Sequence, residues 1–116
     1  MTILSLSLAF PELFAREAKM PHYSWLTIFM QEFKQLSADQ QENFLAAVIR
    51  YIVDPLKAGQ QPPSHIFHKM SGYNIYEFRW DNSGRFRATC SIFVNSANEV
   101  EIQWRRIGGH EIYQNP

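Results

Sequence analysis

The stretch NIYEFRWDNSGRFRATCSIFV, Asn74 to Val94, reads as two strands joined by a glycine turn. Tyr76, Phe78 and Trp80 share one face, while Ile75, Glu77 and Arg79 share the other. Phe86, Ala88, Cys90, Ile92 and Val94 then repeat the first kind of face. When the apolar faces match across the hairpin, Phe78 lies opposite Ala88 and Trp80 opposite Phe86. Asn82-Ser83-Gly84 is left as a three-residue loop in which Gly84 takes the left-handed position. The same register sets Arg79 against Arg87 and Asp81 against Arg85. Two guanidinium groups facing each other across a ladder repel unless an anion lies between them or nearby acids offset them.

Downstream, Glu99 to Ile107 continues the alternation, with Val100, Ile102 and Trp104 on the apolar side and Glu101, Gln103 and Arg105 on the polar side. A loop of about five residues around Asn95 to Asn98 folds this strand back and sets Arg105 near Thr89, one step from Arg87. The polar face thus gathers Arg79, Arg87 and Arg105, planar donor forks suited to phosphate oxygens and able to stack on bases. The alternative is a solvated face whose arginines pair with Glu77, Glu101 and Asp81. The strand breaks at Gly108-Gly109, and His110 and Tyr113 follow. That order can put a group that titrates near neutrality over the same face.

The other half of the chain is helical, divided from the strands by the Gly- and Pro-containing segment Leu56 to His65. Leu4, Leu6, Leu8 and Phe10 alternate with small residues and predict a first strand; Pro11 with Glu12 suits a helix start, and Pro21 a break. His22, beside Pro21, reads as a helix-start residue. Trp25, Phe29, Phe33 and Leu36 fall at helical spacing. Ser37 with Gln40 predicts a capping box for the next helix, in which Phe44, Leu45, Val48, Ile49, Ile52 and Val53 make one apolar stripe of core residues and Asp54-Pro55 the end. The expected architecture is α+β: an N-terminal strand and two to three helices packed on one face of a small, mainly antiparallel twisted sheet.

The 116 residues, 46% apolar and 15% aromatic, are enough for a single domain, residues 1–116, with a core of its own. One cysteine makes no intrachain disulfide, which suits a reducing cytoplasm; Cys90 sits on the apolar face and reads as a small core residue, as does Trp104 as a large one. The four histidines show no zinc spacing, and His65 and His68 read as surface residues. No stretch approaches the roughly 18 apolar residues of a membrane span. Eleven basic and eleven acidic side chains cancel, so nucleic acid is not held by bulk charge and any anion site is local.

The order of these features resembles the RelE/ParE superfamily of bacterial toxin–antitoxin toxins, in particular the RelE, YoeB and HigB messenger-RNA endonucleases. The resemblance is carried by Lys69-Met70-Ser71-Gly72, the strand with Arg79, the turn, Arg85-Phe86-Arg87, and a final strand ending in Ile107-Gly108-Gly109-His110-Glu111-Ile112-Tyr113. It implies cofactor-free and metal-free RNA cleavage, in which a ribose 2'-hydroxyl attacks the adjacent phosphate. On the matched positions, Arg87 and Arg79 clamp the phosphate and His110 protonates the departing 5'-oxygen. Tyr113 stacks on a base or orients the substrate. Glu77, on the face of Arg79, is the expected proton acceptor, with Lys69 and Glu111 as alternatives; Lys69, Arg85 and Arg105 extend the RNA-facing basic surface. The implied partners are a cognate antitoxin and messenger RNA, free or on the ribosome, with no membrane. The alternative readings are a non-catalytic ParE-like toxin that binds DNA gyrase and a degenerate domain that serves only protein interaction.

Overall fold

The computed structural model describes residues 20–72 and 74–116. The expected strand from Leu4 to Phe10 and the helix start at Pro11 lie outside the described residues. A five-stranded sheet runs in the order β1-β5-β4-β3-β2. It is built from β1 (His22–Trp25), β2 (Phe67–Lys69), β3 (Tyr76–Phe78), β4 (Arg87–Val94) and β5 (Val100–Gly108). β2 to β5 pair antiparallel, whereas β1 runs parallel to β5, from His22 opposite Glu101 to Trp25 opposite Trp104. His22 is therefore a strand residue and starts no helix. Trp25 ends that strand at 54% exposure and does not belong to the helical stripe.

Helix α1 (Thr27–Gln35) and helix α2 (Ala38–Val48) pack on one face of the sheet. The capping box at the start of α2 forms as the sequence predicts: Ser37 Oγ accepts from Gln40 N–H at 3.1 Å, and Gln40 Oε1 accepts from Ser37 N–H at 2.9 Å. Asp54-Pro55 does not end this helix. A π-helical turn (Ile49–Val53) leads into a short α3 (Asp54–Lys57), where Pro55 sits in a first turn that needs no N–H from it. The apolar stripe is not all core. Phe44, Ala47 and Ile52 are buried, but Leu45 and Ile49 are 54% and 53% exposed and so are not core residues. Leu45 instead borders, with Tyr23, Trp25 and Met30, an apolar groove of about 270 Å³ between α1 and α2.

The core is an aromatic stack centred on Phe44, whose ring lies 5.1 Å from Trp104, 5.6 Å from Trp80 and 5.8 Å from Phe29. Aromatic pairs of this kind add about 0.5–1.5 kcal/mol each beyond their burial. Cys90 is fully buried between Ala88 and Ile92, and burial pushes its thiol pKa well above the ordinary value.

The β3–β4 register is the one the alternation demands, with Phe78 opposite Ala88 and Gly84 at a φ of +78°. The ladder nevertheless ends at Phe78, one step before Arg79, so the turn is longer than the three residues expected. The Arg79 N–H donates instead to Ile66 C=O on the β2 side. Asp81 organises this turn: its carboxylate accepts from Ser83 Oγ, Ser83 N–H and Phe86 N–H, so it caps the loop and does not offset Arg85. Arg105 does lie beside Thr89, as expected, but in a bulge of β5 opposite Thr89/Cys90. Cys90 pairs with Trp104 and Thr89 with Arg106, so Arg105 is the inserted residue. The extra residue returns Ile107 to the core, where it is 1% exposed.

Candidate active site

The sheet face away from the helices is crossed by the C-terminal segment. Beyond β5, Gly109 leads into a short 3-10 helix (His110–Gln114). The glycines before it lie close to the turn that follows: a Cβ on Gly108 would meet Glu111 Oε1 at 2.7 Å and Ile112 Cγ2 at 3.0 Å, whereas one on Gly109 would meet only the movable Glu111 carboxylate closely, at 2.8 Å. Glu111 accepts from Gly109 N–H at 3.0 Å. Hydrogen bonds from its own N–H and that of Gly109 hold its carboxyl below the ordinary carboxylate range. Ile112 is fully buried, and the Pro116 main-chain oxygen accepts from Thr89 Oγ1 and Arg105 Nε, both at 3.1 Å. Arg106 donates to the Asn115 carbonyl at 2.8 Å and forms a two-pronged pair with Glu32 of α1, both contacts 2.9 Å. The same carboxylate accepts from Ile107 N–H at 3.3 Å, satisfying the edge of β5 where β1 has stopped.

This anchoring fixes Tyr113 over Glu77. Glu77 is only 5% exposed, an unusual place for a carboxylate, and it is occupied on both oxygens. Tyr113 Oη donates to Oε2 in a short hydrogen bond, Arg79 Nε donates to Oε1 at 2.9 Å, and His68 Nε2 stands 3.2 Å from the same Oε1. Burial by itself would raise the Glu77 pKa, but the hydrogen bonds from Tyr113 and Arg79 and the charges of Arg79 and His68 outweigh it and hold it below the ordinary value. The opposite shift appears on Tyr113, whose phenol is pushed up to about 12, first by burial and then by its bond to the Glu77 carboxylate. The His110 ring lies 5.6 Å from the Tyr113 ring. A contiguous row therefore runs His68, Glu77, Tyr113, His110.

Arg87 enters β4 beside this row, close enough that its charge acts on the Tyr113 phenol. One terminal nitrogen donates to Gly84 C=O at 2.7 Å and to Phe86 C=O at 3.2 Å, while its buried Nε has no hydrogen-bond partner among the described residues. Arg85 is exposed, 5.9 Å from the Phe86 ring centroid. Of the residues singled out from the sequence, Glu77, Arg79, Arg87, His110 and Tyr113 are brought together. Arg105 is not: it is spent on Pro116 and on Ser91 Oγ at 3.3 Å. Lys69 pairs across the ladder with Tyr76, so the pleat puts it on the face opposite His68 and Glu77.

Sequence reading missed His68, which lies directly opposite Glu77 in the β2–β3 ladder. Its signal was the short run Phe67-His68-Lys69, whose Phe67 matches Phe78 on the core face. It missed Arg106 and Thr89 as anchors because the β5 bulge, which pairs them, leaves little trace in composition.

No family model matches this chain, and no curated protein does. Among solved structures, a chain of the crystal structure of the intact E. coli RelBE toxin-antitoxin complex is similar. The TM-score is 0.54, with 78% of this chain and 96% of that chain covered, at 13% sequence identity. The likeness is one of fold: a mixed α+β, RelE-like sheet with helices packed on one face.

Proposed function

We propose that this chain is the toxin of a toxin–antitoxin pair and acts as an endoribonuclease on messenger RNA, free or on the ribosome, by 2'-hydroxyl attack on the adjacent phosphate. The observation that carries this reading is the convergence of Arg79, Arg87, Tyr113 and His110 on one sheet face around a buried carboxylate. The attack builds negative charge on the phosphate oxygens, and fixed guanidinium donors stabilise that charge without reorganising. Arg87 fits the task best, since the carbonyls of Gly84 and Phe86 hold one of its terminal nitrogens and fix the guanidinium beside Tyr113. Exposed His110 serves as the acid that protonates the leaving 5'-oxygen, and Tyr113 beside it orients the nucleotide. Glu77 holds Tyr113 and Arg79 in place. Its lowered pKa and occupied oxygens suit that work better than the proton uptake expected of it from sequence.

The RelE-like fold, drawn from a complex of toxin with antitoxin, supports a cognate antitoxin as partner. The apolar groove bordered by Tyr23, Trp25, Met30 and Leu45 offers such a chain a surface. No helix among the described residues is long and apolar enough to cross a membrane; a cytoplasmic site of action goes with the proposed substrate. The test is expression of the chain alone, followed by primer extension on cellular messenger RNA. Discrete breaks and growth arrest are expected, both suppressed in folded Arg87→Ala and His110→Ala. Growth arrest with intact messenger and damaged DNA would favour a gyrase-directed toxin instead.

A further inference from the structure

We infer that His68 is the proton acceptor for the attacking 2'-hydroxyl, held in position by Glu77; this rests on the endoribonuclease reading above. Transphosphorylation needs two proton-transfer groups on opposite sides of the phosphorus, one near the nucleophile and one near the leaving oxygen. His110 supplies only one. The row His68, Glu77, Tyr113, His110 carries an imidazole at each end, joined by contacts of 3.2 Å, a short phenol–carboxylate bond and a 5.6 Å ring contact.

The other candidate groups are less suited to the role. Glu77 is 5% exposed and its oxygens are already bonded. Glu111 caps the Gly109 N–H, and Lys69 lies on the opposite side of the pleat. His68 differs from all of these. It stands on the edge strand β2, and its side chain keeps 35% of its surface in solvent, so substrate can reach it. The Glu77 carboxylate stands beside Nε2, at 3.2 Å, and leaves Nδ1 as the nitrogen that can take the proton.

In the step, an oxygen–phosphorus bond forms from the 2'-oxygen as its proton passes to His68 Nδ1. The phosphorus–O5' bond breaks as His110 gives its proton to O5'. The products are a 2',3'-cyclic phosphate and a 5'-hydroxyl end, with the two histidines left in exchanged protonation states that solvent restores.

The roles separate on two RNA oligonucleotides, one natural and one carrying sulfur in place of the bridging 5'-oxygen at the cleaved linkage, since a thiolate leaves without an acid. Each is cut by the full-length protein, with translating ribosomes supplied. His110→Ala should lose about 10²–10⁴-fold on the natural linkage and recover most of it on the sulfur linkage. His68→Ala and His68→Gln should lose about 10²–10³-fold on both, and added imidazole should restore part of the rate of His68→Ala. Glu77→Asp should keep more of the rate on both linkages than Glu77→Gln. Exposed His65→Ala should cut like wild type. Wild-type protein that cuts neither RNA overturns the endoribonuclease reading and this inference with it. Wild-type cutting with His68→Ala equally fast overturns the role of His68 alone, as does recovery of His68→Ala on the sulfur linkage.

Discussion

Replacing Glu77 with alanine takes away the carboxylate on which Tyr113, Arg79 and His68 converge, and the loss can be apportioned from the structure. The Arg79 side chain is 49% exposed, so water replaces its lost partner and this contact contributes less than about 1 kcal/mol. His68, 35% exposed, behaves similarly. The Tyr113 bond is different, because the Glu77 carboxylate is almost wholly buried and a hydrogen bond to a charged group is worth about 1.5–3 kcal/mol. Relief of the carboxylate's own desolvation offsets part of the sum, leaving a net loss of about 2 kcal/mol. In a domain of this size that lowers the melting temperature by roughly 8 °C. The attribution is tested by urea denaturation of Glu77→Ala, Tyr113→Phe and the double variant. Because one bond joins the two residues, the double variant should lose less than the sum of the singles, with a coupling of about 1–2 kcal/mol. Additivity to within about 0.5 kcal/mol would show that the phenol is not held by Glu77 and that Tyr113 is fixed by something else.

Glu32→Ala should destabilise by about 2–3 kcal/mol in the same assay, since it leaves the Arg106 side chain, only 15% exposed, without its two-pronged partner and strips the Ile107 N–H of an acceptor. Gly108→Ala should cost about 1–3 kcal/mol, because Glu111 can swing away from the new methyl but fully buried Ile112 cannot; a melting temperature equal to wild type would mean that the C-terminal turn is loosely packed. Stability should fall at both ends of the pH scale. Glu77 titrates lower folded than unfolded, so its contribution is complete above its ordinary value of 4.5 and is lost as pH falls through the folded pKa. Tyr113 is raised from 10.0 to about 12, so its contribution is present below pH 10 and lost between 10 and about 12; Tyr113→Phe should show a smaller alkaline loss.

The features legible in the sequence are those that side-chain period controls. Alternation from Tyr76 to Trp80 and from Phe86 to Val94 sets the β3–β4 register, because a slip of one residue would turn Phe78 and Ala88 out of the core. Ser37 and Gln40 mark the start of α2 through a mechanism that needs no tertiary context. Features that depend on main-chain geometry are hidden. β1 is four residues at a sheet edge, held to β5 by backbone bonds, and Pro21 before it resembles a helix signal as much as a strand boundary. The π turn looks like an unbroken apolar stripe from Phe44 to Val53, and in the π turn itself Ile49 is exposed while Ile52 is buried.

The site divides in the same way. Arg79, Arg87, His110 and Tyr113 stand out by residue type, yet the state of Glu77 depends on the C-terminal segment folding back over the sheet, which no local pattern announces. His68 is hidden by the shortness of β2, whose three residues give too little alternation to read.

The most direct test of the account is the chemistry of the ends made when purified wild-type protein cuts a defined RNA in the presence of translating ribosomes. Mass spectrometry should find a 2',3'-cyclic phosphate or 3'-phosphate on one fragment and a 5'-hydroxyl on the other, and a single 2'-deoxy nucleotide at the cut site should abolish cleavage. Uncut RNA, or 5'-phosphate ends made equally well from the deoxy-substituted strand, would contradict it.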